Sequence, residues 1–270
     1  MMRALDLSPC TQKQIHTACT LLERVLENDL MAIHLCGSAI DGGLKPLSDI
    51  DLLVTVHSPL RDEQRRDLMQ RLLEISAYPG TSNVYRALEV TVVVYSQVVP
   101  WQFPPVRELQ FGEWLRDDIM KGEYESAQPD PDLAILLTKA RQNSIPLRGE
   151  EASLLYAAIP ERDLQHTFHQ TLALWNKADD VMGDERNILL TLARIWYSVE
   201  TGRIAAKDEA AAWLLPQLSG VYAELLAEAR AEYLGHVTVD WTAKMPQVEA
   251  FVRDVKRGIQ EKLACPVTAD

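Results

Sequence analysis

The hydrophobic period changes part-way along this chain, and that change restricts the fold to two architectures joined end to end. Up to about Ile159, short runs of period two alternate with helical stretches; from about Leu164 onward the apolar residues recur at helical spacing. The clearest β run is "ALEVTVVVYS", Ala87 to Ser96, rich in β-branched residues. Period two puts Leu88, Val90, Val92 and Val94 on one face and Glu89, Thr91 and Val93 on the other. One carboxylate therefore points away from the more apolar side of a buried strand.

Two further strands are predicted in the first half. "MAIHLCG" stops at Gly37, and Ile50, Leu52, Val54 and Val56 alternate as one face of another. Helices are expected over residues 12–30, with Ile15, Ala18, Cys19, Leu22 and Val25 inside, and over 60–75, opened by Ser58-Pro59. In the second half Ile188, Leu192, Ile195, Trp196 and Val199 form one stripe that ends at Thr201-Gly202, and helices follow over 207–218, 221–234 and 247–263. The pattern predicts an α/β (α+β) domain with a small mixed sheet over residues 1–158, then an all-α helical bundle over 159–270.

Charge narrows the function. The net charge of -12 repels phosphate backbones, and without a basic stripe a role built on gripping DNA or RNA is excluded. The same field favours encounter with a cationic ligand. No apolar run approaches the roughly 20 residues that span a bilayer, and "MMRALDLSPC" lacks a signal peptide's apolar core, so no membrane role is expected. Cys10, Cys19, Cys36 and Cys265 are scattered without metal-type pairing, as suits reduced thiols; a cytoplasmic monomer is expected.

The chemistry concentrates in "CGSAIDGGLKPLSDIDLLV", Cys36 to Val54. A glycine at a strand end lets backbone N–H groups approach a phosphate, and Ser38 adds a hydroxyl. Asp49 and Asp51, two apart at the head of a strand, share a face about 6.5 to 7 Å apart. Hard oxygens so placed suit Mg²⁺, and Glu89, on another strand, completes a metal-and-base cluster. His166 and His169 sit three apart on a helix with no third ligand in view, so they are read as surface residues.

These residues resemble a known family. "GSAIDGGLKPLSDIDLLV" looks like the signature of the nucleotidyltransferase superfamily, G-S followed by D-x-D. The likeness continues through "LEVTVVVYSQVVPW", "RELQFGEWLRDDI", "SIPLRGE", "GDERNILLTLARIWYSVETGRIAAKDEAAAWLL" and "EARAEYLG", and over most of the chain it resembles the aminoglycoside (3″)(9)-adenylyltransferases. The resemblance implies transfer of AMP from ATP to hydroxyls of streptomycin and spectinomycin. It implies two Mg²⁺ ions on Asp49, Asp51 and Glu89, with Glu89 also taking the hydroxyl proton. It implies ATP contacts from Ser38, Ser48, Arg194, Lys207 and Tyr233, and drug contacts from Glu89, Trp114, Trp175, Asp180, Asp184 and Asn187. Trp175 and Asp180 imply acceptance of streptomycin as well as spectinomycin. Two positions depart from the family: Cys36 replaces a common aromatic, and Asn187 stands where some members carry His. A spectinomycin-only enzyme, a protein-modifying enzyme and a non-catalytic protein of the same fold remain alternatives.

Overall fold

The computed structural model describes residues 7–264; Cys265 and the Met1–Asp6 part of the leader reading lie outside them. The chain divides into two compact units, Met1–Ile159 and Pro160–Asp270.

In the first unit α1 (Pro9–Leu26) leads into β1 (Leu30–Cys36), and β2 (Ile50–Val56), α2 (Asp62–Glu74) and β3 (Leu88–Val94) follow. The turn of helix α3 (Tyr95–Val98) precedes β4 (Val106–Arg107) and β5 (Leu109–Phe111), and then come α4 (Arg116–Lys121), β6 (Gln128–Pro129), α5 (Leu133–Gln142), β7 (Ile145–Arg148) and α6 (Ala152–Leu155). The main sheet has five strands in the order β5-β3-β2-β1-β7. Only β2 and β3 run parallel; the other neighbours are antiparallel, so the expected mixed sheet is present. A parallel pair needs a crossover, and α2 lies in it.

Period two sorts the strand residues as the sequence predicts. Ile50, Leu52, Val54 and Val56 join Leu88, Val90, Val92 and Val94 in a core shared with the apolar faces of α1 and α2. Each such buried side chain contributes about 1.5–3 kcal/mol. On the opposite face Leu53 and Val93 pack with Ala32, Cys36 and the α5 residues Leu133, Leu137 and Ala140. Asp51 and Glu89 belong to that second face, at the starting ends of β2 and β3.

Two helix starts differ from expectation. α1 begins at Pro9 because Ser8 caps it, its Oγ accepting from Thr11 N at 3.2 Å. α2 begins at Asp62, after Ser58-Pro59: Leu60 is buried and its amide donates to Glu108 Oε1 at 3.0 Å, while the Arg61 amide donates to Gln64 Oε1 at 3.1 Å. Glu108 also pairs with buried Arg65, Nη2 to Oε1 at 2.5 Å. Glu113 accepts from Ser76 Oγ and from Arg116 Nε, the latter at 2.6 Å. The carboxylates of "RELQFGEW" thus anchor the β5 segment on both sides, and removing one partner of such a buried pair costs about 3–5 kcal/mol.

The second unit is helical: α7 (Glu161–Leu172), α8 (Glu185–Thr201), α9 (Lys207–Leu214), α10 (Val221–Tyr233) and α11 (Met245–Ala264). Ile188, Leu192 and Ile195 of the expected α8 stripe are buried. Gly202 ends α8 in the left-handed conformation, φ 67°, with its amide donating to Ser198 O at 2.9 Å. His166 and His169 stand exposed on α7. No helix among the described residues is long and apolar enough to cross a membrane.

Candidate active site

The ladder of the main sheet sets three residues in a row. Cys36 at the end of β1 partners Asp51 on β2, and Asp51 partners Glu89 on β3. Partners on neighbouring strands lie about 5 Å apart, so Asp51 and Glu89 stand side by side on one face. Asp49 lies just ahead of β2, two residues from Asp51.

The turn Gly37–Ala39 closes on this row. Gly37 has φ +67°, and a Cβ there would lie 1.7 Å from Asp51 Oδ2. Glycine is needed twice over, for its left-handed backbone and for the space the aspartate takes. That space lets the Gly-Ser turn rest against Asp51. Burial first, and the Asp51 charge second, push the Cys36 thiol up to about 12, so it stays protonated. Half-buried Ser38 sits within the turn.

Both loops that frame the row are held by side chains from elsewhere. After the turn, Asp41 accepts from Asn143 Nδ2 at 2.5 Å and pairs with Lys139 Nζ of α5 at 3.0 Å. Before β2, Arg86 Nη1 donates to the carbonyls of Lys45 (3.0 Å), Pro46 (3.3 Å) and Ser48 (2.7 Å). Burial lowers the Arg86 pKa and the nearby Asp49 charge opposes that shift. The Ser48 hydroxyl accepts from Lys45 N at 3.2 Å, which leaves its own proton available to donate. Buried Gln14 of α1 in turn fixes the Arg86 backbone, accepting from its amide at 3.0 Å and donating to its carbonyl at 2.8 Å.

Glu89 has a neighbour of its own kind of importance. Gln110 Nε2 donates to Glu89 Oε1 at 3.2 Å, and Thr91 Oγ1 donates to Gln110 Oε1 at 2.9 Å. Beyond Gln110, the indole of Trp114 lies over Gly112, 2.3 Å from where a Cβ would stand. Trp114 is 54% exposed, a broad aromatic face open to a ligand.

Asp49 and Asp51 fit Mg²⁺, a hard cation that takes one or two carboxylates and completes its shell with water and substrate phosphate. The donor chemistry is right and the Gly37 turn brings backbone up to one of the two. Among the described residues no group of three or more His, Cys, Asp or Glu side chains stands gathered as a metal cage; Glu89 is the strand partner of Asp51 and puts a third carboxylate beside the pair.

In the helical unit the structure brings three of the expected residues together. Asn187 Nδ2 donates to Asp184 Oδ1 at 2.6 Å, and Lys207 Nζ donates to Asn187 Oδ1 at 3.4 Å. Arg194 lies two turns beyond Asn187 on α8, and Tyr233 is the last residue of α10. Arg230, one turn before Tyr233, donates from Nε to Asp208 O at 3.0 Å and so ties α10 to the start of α9. Asp180 is used locally: its Oδ2 accepts from Asn176 N (2.9 Å) and Lys177 N (3.2 Å). Those backbone bonds hold its carboxyl below the usual range. Lys256 of α11 donates to Trp175 O at 2.5 Å and Asn176 Oδ1 at 3.2 Å, pinning the segment that carries Trp175.

Residues 154–258 match the family described as aminoglycoside adenylyltransferase, C-terminal domain. An aminoglycoside (3″)(9) adenylyltransferase of Escherichia coli is 51% identical over 243 residues, 90% of this chain and 92% of that protein. The chain belongs to the aminoglycoside (3″)(9)-adenylyltransferases. Within that family's wider circle, a spectinomycin 9-adenylyltransferase of Staphylococcus aureus is 40% identical over 90% of this chain and 93% of its own. The fold is likewise that of a solved adenylyltransferase. The spectinomycin adenyltransferase AAD(9) from Enterococcus faecialis, crystallised with ATP and spectinomycin, matches with a TM-score of 0.85 and 29% identity, covering 92% of this chain and 99% of that one.

Four supporting residues of this adenylyltransferase escaped sequence reasoning: Arg86, Lys139, Gln110 and Lys256. Arg86 and Lys139 reach loops tens of residues away, Lys256 reaches a loop 80 residues before it, and Gln110 meets Glu89 only through the β3–β5 pairing. A polar residue between Leu109 and Phe111 in a strand was the one visible hint, and it applies to Gln110 alone.

Proposed function

We propose that this enzyme transfers AMP from ATP to the 3″-hydroxyl of streptomycin and the 9-hydroxyl of spectinomycin, releasing pyrophosphate and so conferring resistance to both. The observation that carries the site assignment is the pairing of Asp51 with Glu89 on one sheet face, with Asp49 and the Gly37-Ser38 turn beside it.

Glu89 accepts the proton of the drug hydroxyl as its oxygen bonds to the α-phosphorus; the bond from that phosphorus to the β-phosphate oxygen breaks, and the pair leaves on pyrophosphate. Asp49, Asp51 and Glu89 would hold Mg²⁺, two ions in our reading, which would supply charge neutralisation on the triphosphate when bound. Ser38 and Ser48 offer hydroxyls to the phosphates, Arg194 and Lys207 offer cations, and Tyr233 lies near the nucleotide. Trp114 and Trp175 give flat faces to sugar or cyclitol rings, while Asp180, Asp184 and Asn187 meet the ammonium, guanidinium and hydroxyl groups. The local use of Asp180 leaves its charge in place, and the presence of both Trp175 and Asp180 favours the dual reading. We read the protein as a cytoplasmic monomer; separately, no helix among its described residues is long and apolar enough to cross a membrane.

Incubation of the purified protein with Mg-ATP and each drug separately, followed by mass spectrometry, tests this. We expect both drugs to gain one adenylyl group. Adenylylation of spectinomycin alone would narrow the enzyme to the 9-hydroxyl, and no product from either would overturn the reading.

A further inference from the structure

We propose that Gln110 is the positioning residue for the proton acceptor, holding the Glu89 carboxylate through its side-chain amide so that one oxygen stays aimed at the incoming hydroxyl. This rests on the reading of Glu89 as that acceptor.

β5 runs antiparallel to β3 with Thr91 opposite Gln110, and Glu89 is two residues before Thr91 on the same face. The amide of Gln110 therefore sits beside both. A carboxylate only accepts hydrogen bonds, so the NH₂ end of the amide must turn to Glu89, 3.2 Å away, and the carbonyl end must turn to the Thr91 hydroxyl, 2.9 Å away. Thr91 and Gln110 are buried, and Glu89 is half-buried. The chain Thr91, Gln110, Glu89 thus runs from the interior to the edge of the solvent-reachable face.

Packing alone gives Gln110 little reason to be glutamine. Its neighbours Leu109 and Phe111 turn into the other face's core, and the segment is already anchored at Glu108 and Glu113. A buried amide is instead a costly choice unless both of its ends are satisfied. Here the two ends are satisfied by a threonine and by the residue that takes the proton.

The consequence is orientational. The terminal torsion of a glutamate is soft, so an unheld carboxylate samples a wide arc. With Oε1 held by Gln110, that arc narrows, and proton transfer to Glu89 begins from one geometry. Misplacement of a reacting group by about 1 Å can cost on the order of 100-fold in rate.

The test compares Gln110→Met, which keeps length but removes the donor, and Thr91→Val, which keeps shape but releases the far end of the amide. Glu89→Gln is measured in parallel. Single-turnover pyrophosphate release, KM for ATP and drug, and the thermal midpoint are recorded for each. We expect Gln110→Met to slow release by about 10- to 100-fold with both KM values within about threefold of wild type. Thr91→Val should show the same pattern at smaller size, with its midpoint close to wild type. A loss confined to KM, a loss that tracks a lowered midpoint in both variants, or unchanged release in both would overturn the proposal. Near-normal release by Glu89→Gln would instead remove the acceptor role on which it rests, so the two failures are distinguishable.

Discussion

Single residues show how tightly the adenylyltransferase site is built into the strand ends. Gly37 and Asp51 occupy what is almost a shared position, since any Cβ at residue 37 would collide with the carboxylate. Strands β2 and β3 contribute chemistry and burial in alternation: half-buried Asp51 and Glu89 lie on one sheet face while Leu52 and Val90 fill the core on the other. His34 illustrates the cost of polar groups placed deeper. It is fully buried on β1, with Nε2 donating to Glu150 O at 2.8 Å, and burial lowers its pKa below the ordinary 6.5. Because the folded chain disfavours the charged ring, the unfolded chain binds more protons below about pH 6.5, and stability falls as pH drops through that window. The slope from this one group is no steeper than about 1.4 kcal/mol per pH unit. His34→Gln keeps a donor for Glu150 O and cannot titrate. Urea midpoints measured from pH 7.5 to 5 should therefore fall less steeply for it than for wild type, and identical slopes would contradict the assignment.

At the scale of elements, the site depends on connections more than on strands. The strands place Asp51 and Glu89, but Asp49, Ser38 and Ser48 lie in turns and loops whose shape is set by Arg86, Gln14, Lys139 and Asn143. Arg86→Ala would strip three backbone carbonyls of their shared donor. Hydrogen bonds to charged groups contribute about 1.5–3 kcal/mol, so the loop before Asp49 should loosen. We expect KM for Mg-ATP to rise about 10-fold with drug KM nearly unchanged, and Arg86→Lys to restore part of the loss; steady-state kinetics with unchanged KM for ATP in Arg86→Ala would contradict this. What sequence reasoning could read divides along the same line. β1, β2, β3 and α8 were legible because period two and the 3.6-residue stripe are local signals. Helix α2 starts two residues later than its sequence pattern predicts because Glu108, in the link between β4 and β5 48 residues away, captures the Leu60 amide. The loop clamps were invisible for the same reason, since each joins positions whose neighbourhood exists only after folding.

For the whole molecule, the change of hydrophobic period near residue 160 corresponds to a mixed-sheet unit followed by a helical one. The chemistry-bearing carboxylates stood out in the sequence because a strand with one acidic residue among valines has few structural uses. The residues of the helical unit did not stand out: Arg194, Lys207 and Tyr233 each look ordinary in isolation, and only the family resemblance singled them out. Folding explains part of that choice for Lys207, which meets Asn187 and through it Asp184. We propose that Glu89, held in register beside Asp51, takes the proton in adenylyl transfer. Drug-stimulated pyrophosphate release and ATP affinity, measured together for Glu89→Gln, test it most directly. We expect release lowered by about 100-fold or more with the ATP dissociation constant within about threefold of wild type. Near-normal drug-stimulated release from Glu89→Gln would contradict it.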